Sequence, residues 1–229
     1  MSELLVQMDP AIWLIWMTAM GACMGSFLNV VALYWPAHMK QQWNRDVAEY
    51  LERTPESLGL DVQAPPGLLT RRSACPACGA RLRWWQLIPL LGFVLLRGRC
   101  HACQTSISWR YPAVELLTAV LFAGLAMRQG PSSLALALAI VLCALVVMTL
   151  IDLDHLLLPD DMTLPLLWAG LLWHGIMPGL PLRDTVFGAI AGYLSLWTVY
   201  QAFRLSTGRE GMGHGDFKLL AALGAWLGW

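Results

Sequence analysis

Between Ala11 and Trp35 the chain carries no charged residue. A hydrocarbon core about 30 Å thick needs roughly 20 apolar helical residues to cross it, so this run alone argues against an ordinary soluble domain. No basic stretch precedes it and it is too long for a signal-peptide core, so it reads as a retained span. Further apolar runs follow at Pro112–Met127, Ser133–Ile151, Met162–Met177 and Thr185–Phe203, with a last one from Phe217 to the terminus. That predicts five spans and an incomplete sixth. The composition agrees, because 57% of the 229 residues are hydrophobic and 13% are charged, against about a quarter charged in a typical soluble domain.

The breaks between runs carry turn chemistry, as in Gln129-Gly130-Pro131-Ser132 and Pro178-Gly179-Leu180-Pro181, which predicts short antiparallel connections. The formal net charge is zero, and that balance removes a global electrostatic case for nucleic-acid binding. Position matters more than the sum. Ten of the 15 basic residues lie between Lys40 and Arg110. Placing residues 36–111 in the cytoplasm puts Arg204, Arg209 and Lys218 there too, leaving only Arg128 and Arg183 outside. This bias predicts an outside N-terminus. The predicted organisation is a first span over 1–35, a cytoplasmic loop over 36–111 and a helical membrane core over 112–229. Acidic lipid headgroups suit the basic loop, and Ala64-Pro65-Pro66-Gly67 reads as a stiff linker inside it.

The loop also holds Cys75-Pro76-Ala77-Cys78 and Cys100-His101-Ala102-Cys103. Two such pairs can supply four thiolates to a tetrahedral zinc ion. Two disulfides fit a reducing cytoplasm poorly, and a redox role needs one pair in a βαβ context that is not visible here. A saturated four-thiolate site leaves no open position for water or substrate, so zinc is expected to be structural. His101 reads as a bystander, Cys23 and Cys143 as small packing residues within spans, and Asn29 as a hydrogen-bonding residue between helices.

Carboxylates at membrane depth are functional candidates by default. Asp152 ends an apolar run, and Asp154, Asp160 and Asp161 follow. Asp160 and Asp161 begin the next helix, where N-capping explains them. Asp152 and Asp154 end a helix, where the dipole opposes negative charge, and Asp152 is the more desolvated of the two. On the same membrane face lies Gly211-Met212-Gly213-His214-Gly215-Asp216. Its alternate glycines permit close backbone approach to an extended peptide, and His214 reads as filling a tolerant position. Asp152 and Asp216 converging from different spans suggest aspartic-type chemistry, one carboxyl protonated and the other activating water. A magnesium site built from Asp152, Asp154, Asp160 and Asp161, serving a lipid-phosphate transferase, is the competing reading, and structural helix-end polarity is the third.

The motifs together resemble the type IV prepilin peptidases, polytopic GxGD-type aspartic proteases. The resemblance rests on Gly25-Ser26-Phe27-Leu28-Asn29-Val30-Val31, the paired cysteines, Arg110-Tyr111-Pro112 with Glu115, Ile151-Asp152-Leu153-Asp154-His155 with Leu157-Leu158-Pro159-Asp160, and Gly211 through Leu220. It implies an all-α polytopic membrane protein of the bacterial inner membrane with a small cytoplasmic zinc-binding insert built on four cysteines. Asp152 and Asp216 would be catalytic, with Gly213 and Gly215 in the catalytic loop and zinc on Cys75, Cys78, Cys100 and Cys103. It implies cleavage of the leader of prepilins and pseudopilins after glycine, then methylation of the new N-terminus with S-adenosylmethionine. Gly98-Arg99 match the family's glycine and basic residue before the third cysteine, a candidate methyl-transfer region, with Arg97 where a second glycine is common. The resemblance also implies about two further spans beyond Trp229. A non-enzymatic alternative is a zinc-bearing assembly factor that binds pilins without cutting them.

Overall fold

A computed structural model describes residues 8–62, 67–68, 73–177, 179–209 and 211–229. The linker residues Ala64, Pro65 and Pro66, the basic residues Arg71 and Arg72, the turn residue Pro178, and Glu210 lie outside the described residues. Among the described residues the chain forms helices α1 (Pro10–Tyr50), α2 (Leu91–Leu95), α3 (Arg110–Gln129), α4 (Ser133–His155), α5 (Asp160–Ile176), α6 (Leu182–Thr207) and α7 (His214–Leu227). Short 3₁₀ turns lie at Pro55–Leu58 and Trp84–Leu87. Strand pairing is confined to the isolated bridges Ala74–Arg81 and Arg99–Ser106. The fold is therefore all-helical with a small cysteine-bearing insert.

Helix α1 is started by Asp9, whose carboxylate accepts the amides of Ala11 at 2.8 Å and Ile12 at 3.4 Å, with Pro10 in the first helical position. It does not stop at Trp35. It runs through Pro36 to Tyr50, 41 residues in all. The loop expected from residue 36 thus begins as a continuation of the helix, at the cost of the one ladder bond that Pro36 cannot donate. Helix α4 is started by Ser132, whose hydroxyl accepts the Ala135 amide at 3.1 Å.

Among the described residues, four helices are long and apolar enough to cross a membrane: α1, α3, α4 and α6. Helix α5, expected as a span, has 17 residues and so rises about 26 Å. Helix α7 has 14. Large apolar side chains such as Ile15, Val120, Ile140, Leu172 and Val199 face outward, as lipid-facing positions do. The protein is a multi-pass membrane protein.

The chain divides into two compact units, Met1–Leu150 and Ile151–Trp229. In the first, α1 and α3 pack closely because Gly21 and Gly25 present no side chain. A Cβ at Gly21 would lie 2.7 Å from the Thr118 carbonyl oxygen, and one at Gly25 would lie 2.7 Å from the Glu115 Cα. Small residues spaced four apart are a common device for close helix packing in membranes. Trp13, Met17, Phe122, Ala126, Ala135 and Ala139 form the core beside this seam. Asn29, expected to bond between helices, instead donates to Gly25 O of its own helix at 3.1 Å. Cys23 is exposed rather than packed. In the second unit the same device recurs, with Gly188 and Gly192 of α6 abutting the backbone of α7 at Gly224 and Leu220. Trp226 of α7 closes the other side, donating its indole N–H to Leu166 O of α5 at 2.9 Å.

Candidate functional site

Both candidate aspartates belong to the second unit. Asp152 lies in the last turn of α4, half-buried, and the chain then turns sharply. Leu156 takes a left-handed φ of 52°, and its amide closes back on Asp152 O at 2.8 Å. Asp216 is expected in the loop before the last run, but the helix starts earlier. Gly213 is the cap residue and His214 the first residue of α7, so Asp216, also half-buried, sits within the first helical turn. The two segments meet through Gly215. A Cβ there would fall 2.7 Å from Leu158 Cβ and 3.3 Å from Leu158 O, and Leu158 belongs to the turn that leaves Asp152. Gly213 is roomier, its added Cβ 3.8 Å from Asp216 Oδ2.

Asp160 does not cap its helix. Pro159 occupies the cap position without a side-chain bond, and the Asp160 carboxylate instead receives Lys218 Nζ at 2.7 and 2.6 Å. This pair ties the start of α5 to the start of α7, two residues beyond Asp216. Sequence spacing offers no hint of it, because 58 residues separate the partners. The fully buried Phe217 anchors the same turn from below. Its ring meets those of Tyr200 and His214 at 5.5 and 5.6 Å, so His214 is an aromatic packing partner. Tyr200 is buried with its hydroxyl unpartnered, and a cavity of about 160 Å³ lies between it, Val199, Phe203, Gly211 and Met212.

The four cysteines of the insert converge in the first unit. Their sulfur atoms all lie within 4.8 Å of one another, with Cys75–Cys103 at 3.8 Å and Cys78–Cys100 at 4.0 Å. None is in a disulfide. A tetrahedron with metal–sulfur bonds of about 2.3 Å has edges of about 3.8 Å, so the donor set fits one tetrahedral, thiophilic ion. The two knuckles share one backbone plan. The amides of Cys75 and Cys100 bond the carbonyls of Ala80 and Thr105, and those of Gly79 and Gln104 return to Cys75 and Cys100. Gly79 and Gln104 are both left-handed, at 70° and 59°.

The thiols differ in proton affinity. The Thr105 hydroxyl and amide stabilise the Cys103 thiolate and bring it down to about 6, and the amides of Cys103 and Ala102 lower Cys100. At Cys78 the Ala80 amide pulls downward, but Cys103, desolvation and Cys75 outweigh it and push the thiol to about 11. A cluster with one ready thiolate beside reluctant thiols is what a divalent ion resolves, since it replaces the shared protons.

Gly98 is left-handed at 68°, and its Cα faces Phe93, so that an added Cβ would lie 3.1 Å from the ring. Arg99 is exposed on the bridge to Ser106. Phe93 lines a second cavity of the first unit, of about 430 Å³, together with Ser26, Gln86, Tyr111 and Glu115.

Residues 19–129 match the bacterial peptidase A24 N-terminal domain, and residues 139–229 match the type IV leader peptidase family. The prepilin leader peptidase/N-methyltransferase of Aeromonas hydrophila is 51% identical over 205 residues, covering 90% of this chain and 70% of that protein. Its namesake in Pseudomonas putida is 47% identical over 224 residues, covering 97% and 75%. That of Dickeya chrysanthemi is 48% identical over 227 residues, covering 96% and 76%. No solved structure matches the chain. A peptidase family match favours the aspartic reading over the magnesium-dependent transferase, and with about half the residues identical to the named relatives, the chain belongs to the type IV leader peptidase family.

Proposed function

We propose that this chain cleaves the leader peptide of type IV prepilins and pseudopilins after glycine and N-methylates the new terminus, with Asp152 and Asp216 as the acid-base pair of the cleavage step. One observation carries the assignment: Asp216 lies in the first turn of α7 beside a glycine that admits the turn leaving Asp152. One carboxyl of the pair takes a proton from water as the oxygen attacks the scissile carbonyl, and the other, protonated, hydrogen-bonds the developing oxyanion. The C–N bond then breaks with proton transfer to the leaving amine.

The four thiols hold zinc as a structural ion that ties the two cysteine knuckles of the insert together. The positive-inside bias supports an outside N-terminus and a cytoplasmic position for this insert and both aspartates at the inner membrane, where anionic lipid would meet the basic loop. When bound, S-adenosylmethionine would supply an electrophilic methyl group to the deprotonated N-terminal amine, with a neutral thioether as the leaving group. The 430 Å³ cavity is large enough for such a donor.

Mass spectrometry of a prepilin co-expressed with this chain tests the proposal. The expected product lacks its leader and is heavier by one methyl group. An intact prepilin that co-purifies with the chain contradicts it and supports the assembly-factor alternative.

A further inference from the structure

From Trp84 to Leu96 the insert carries no charged residue, and Arg81 with Arg83 on one side and Arg97 with Arg99 on the other bracket the run. No Asp or Glu occurs between Asp61 and Glu115. We propose that residues 84–96 are an interfacial membrane anchor, seated among the acyl chains of the leaflet that the insert faces, with the bracketing arginines on anionic lipid phosphates; this rests on the reading above that anionic lipid meets the basic loop.

The segment is packed the wrong way round for water. Leu91, Val94 and Leu95 of α2, spaced three and four apart, share one helix face, and they are 56%, 67% and 65% exposed. The opposite face holds the buried Gly92 and the half-buried Phe93 and Leu96. Ahead of the helix Trp84 is 78% exposed, and Leu87 and Ile88 also face outward. A row of large apolar side chains aimed away from the chain marks an interaction surface. Its chemistry is aliphatic and indole groups rimmed by exposed arginines, with no carboxylate. That is the pattern of a segment lying in an anionic membrane interface.

Contacts to α3 fix the depth. That helix runs 20 residues from Arg110, a rise of about 30 Å that matches the hydrocarbon thickness, so its first residue marks one edge of the bilayer core. Phe93 of α2 packs on Trp109, the residue just before that edge, with ring centroids 4.8 Å apart. Trp109 is itself exposed, as suits an indole at the membrane interface. The Leu90 amide, at the start of α2, donates to Glu115 Oε2 at 2.8 Å. Glu115 lies about 7 Å along α3 from Arg110, and its side chain reaches back toward the helix start. Both contacts hold α2 at the level where the span begins, so a soluble partner would have to pass the headgroups to reach its outward face. The cysteine pairs flank the segment in the chain, and an anchored segment keeps both knuckles at the membrane surface.

The test is photolabelling of the zinc-loaded full chain in vesicles of phosphatidylethanolamine and phosphatidylglycerol, with a diazirine either in the acyl chain or on the phosphatidylglycerol headgroup, and labelled peptides mapped by mass spectrometry. The outward-facing Val120 of α3 is the internal standard. Acyl label at Trp84, Leu91, Val94 or Leu95 is expected. The double variant Leu91→Glu, Leu95→Glu is expected to lower acyl label over 84–96 about tenfold and leave Val120 label unchanged, because carboxylates are costly below the headgroups. The double variant Leu91→Met, Leu95→Met should keep the label. Equal label in a glutamate variant that retains its zinc overturns the anchor, and where that variant loses its zinc the wild-type map decides alone. Acyl label on Val120 with none over 84–96 also overturns it; this is the result expected if a second copy of the chain or another protein covers the face. Headgroup label at 81–83 or 97–99 without acyl label over 84–96 leaves the lipid reading of the basic loop standing and sinks the anchor alone, whereas absence of both labels sinks both.

Discussion

At Gly215 a missing methyl group lets the first turn of α7 close on the turn that leaves Asp152, because any Cβ would press on both the side chain and the carbonyl of Leu158. Gly215→Ala is expected to slow cleavage about a hundredfold by shifting Asp216 on the order of 1 Å and to destabilise the chain by about 1–3 kcal/mol through the overpacked contact; a normal rate in a prepilin cleavage assay would refute this. Gln104 occupies the left-handed position that Gly79 fills in the other knuckle. Gln104→Gly should therefore remove roughly 1 kcal/mol of backbone strain and slow zinc release to a chelator. The convergence of the four cysteines was legible in the sequence, because Cys-x-x-Cys spacing is unusual in itself, and charges at membrane depth singled out Asp152 and Asp216 as candidates. Lys218 with Asp160 and the buried Tyr200, its hydroxyl unpartnered, were not. Their significance comes from neighbours tens of residues away, or from a partner that is missing. Asn29 and Cys23 were misjudged for a related reason: polarity and size do not say which way a side chain on a helix faces.

At the scale of elements, most helices were visible as apolar runs, but their ends were not. Apolarity marks where lipid ends, while hydrogen bonding continues α1 past the bilayer to Tyr50 and begins α7 before Asp216. The helix seams were present in the sequence as Gly21-x-x-x-Gly25 and Gly188-x-x-x-Gly192, but this spacing becomes informative only once a facing helix is known. Gly188 lies against the backbone of Gly224. Gly188→Leu is expected to destabilise the α6–α7 seam by about 1–3 kcal/mol or more, lowering the melting temperature measured in detergent. Substituting the outward-facing Val199 with leucine should leave that temperature nearly unchanged.

Across the whole molecule, the cysteine cluster and the larger cavity belong to the first unit and both aspartates to the second. The insert has little core of its own, with Cys100 its buried apolar residue among those described from 73 to 109, so an ion held by the four thiols would add much to its stability. One zinc per chain is expected by elemental analysis, and the Cys78→Ser, Cys103→Ser double variant should lose it together with protease resistance in residues 73–109. The central claim is that two carboxylates, rather than a metal, activate the water that cuts the leader. The most direct measurement is cleavage of a purified prepilin by the detergent-solubilised chain in EDTA, with zinc content verified, for wild type, Asp152→Asn and Asp216→Asn. Wild type should cut, and each variant should fall by about 10²–10⁴-fold or more. Loss of wild-type cleavage in EDTA with zinc still bound, or near-normal cleavage by either variant, would contradict it.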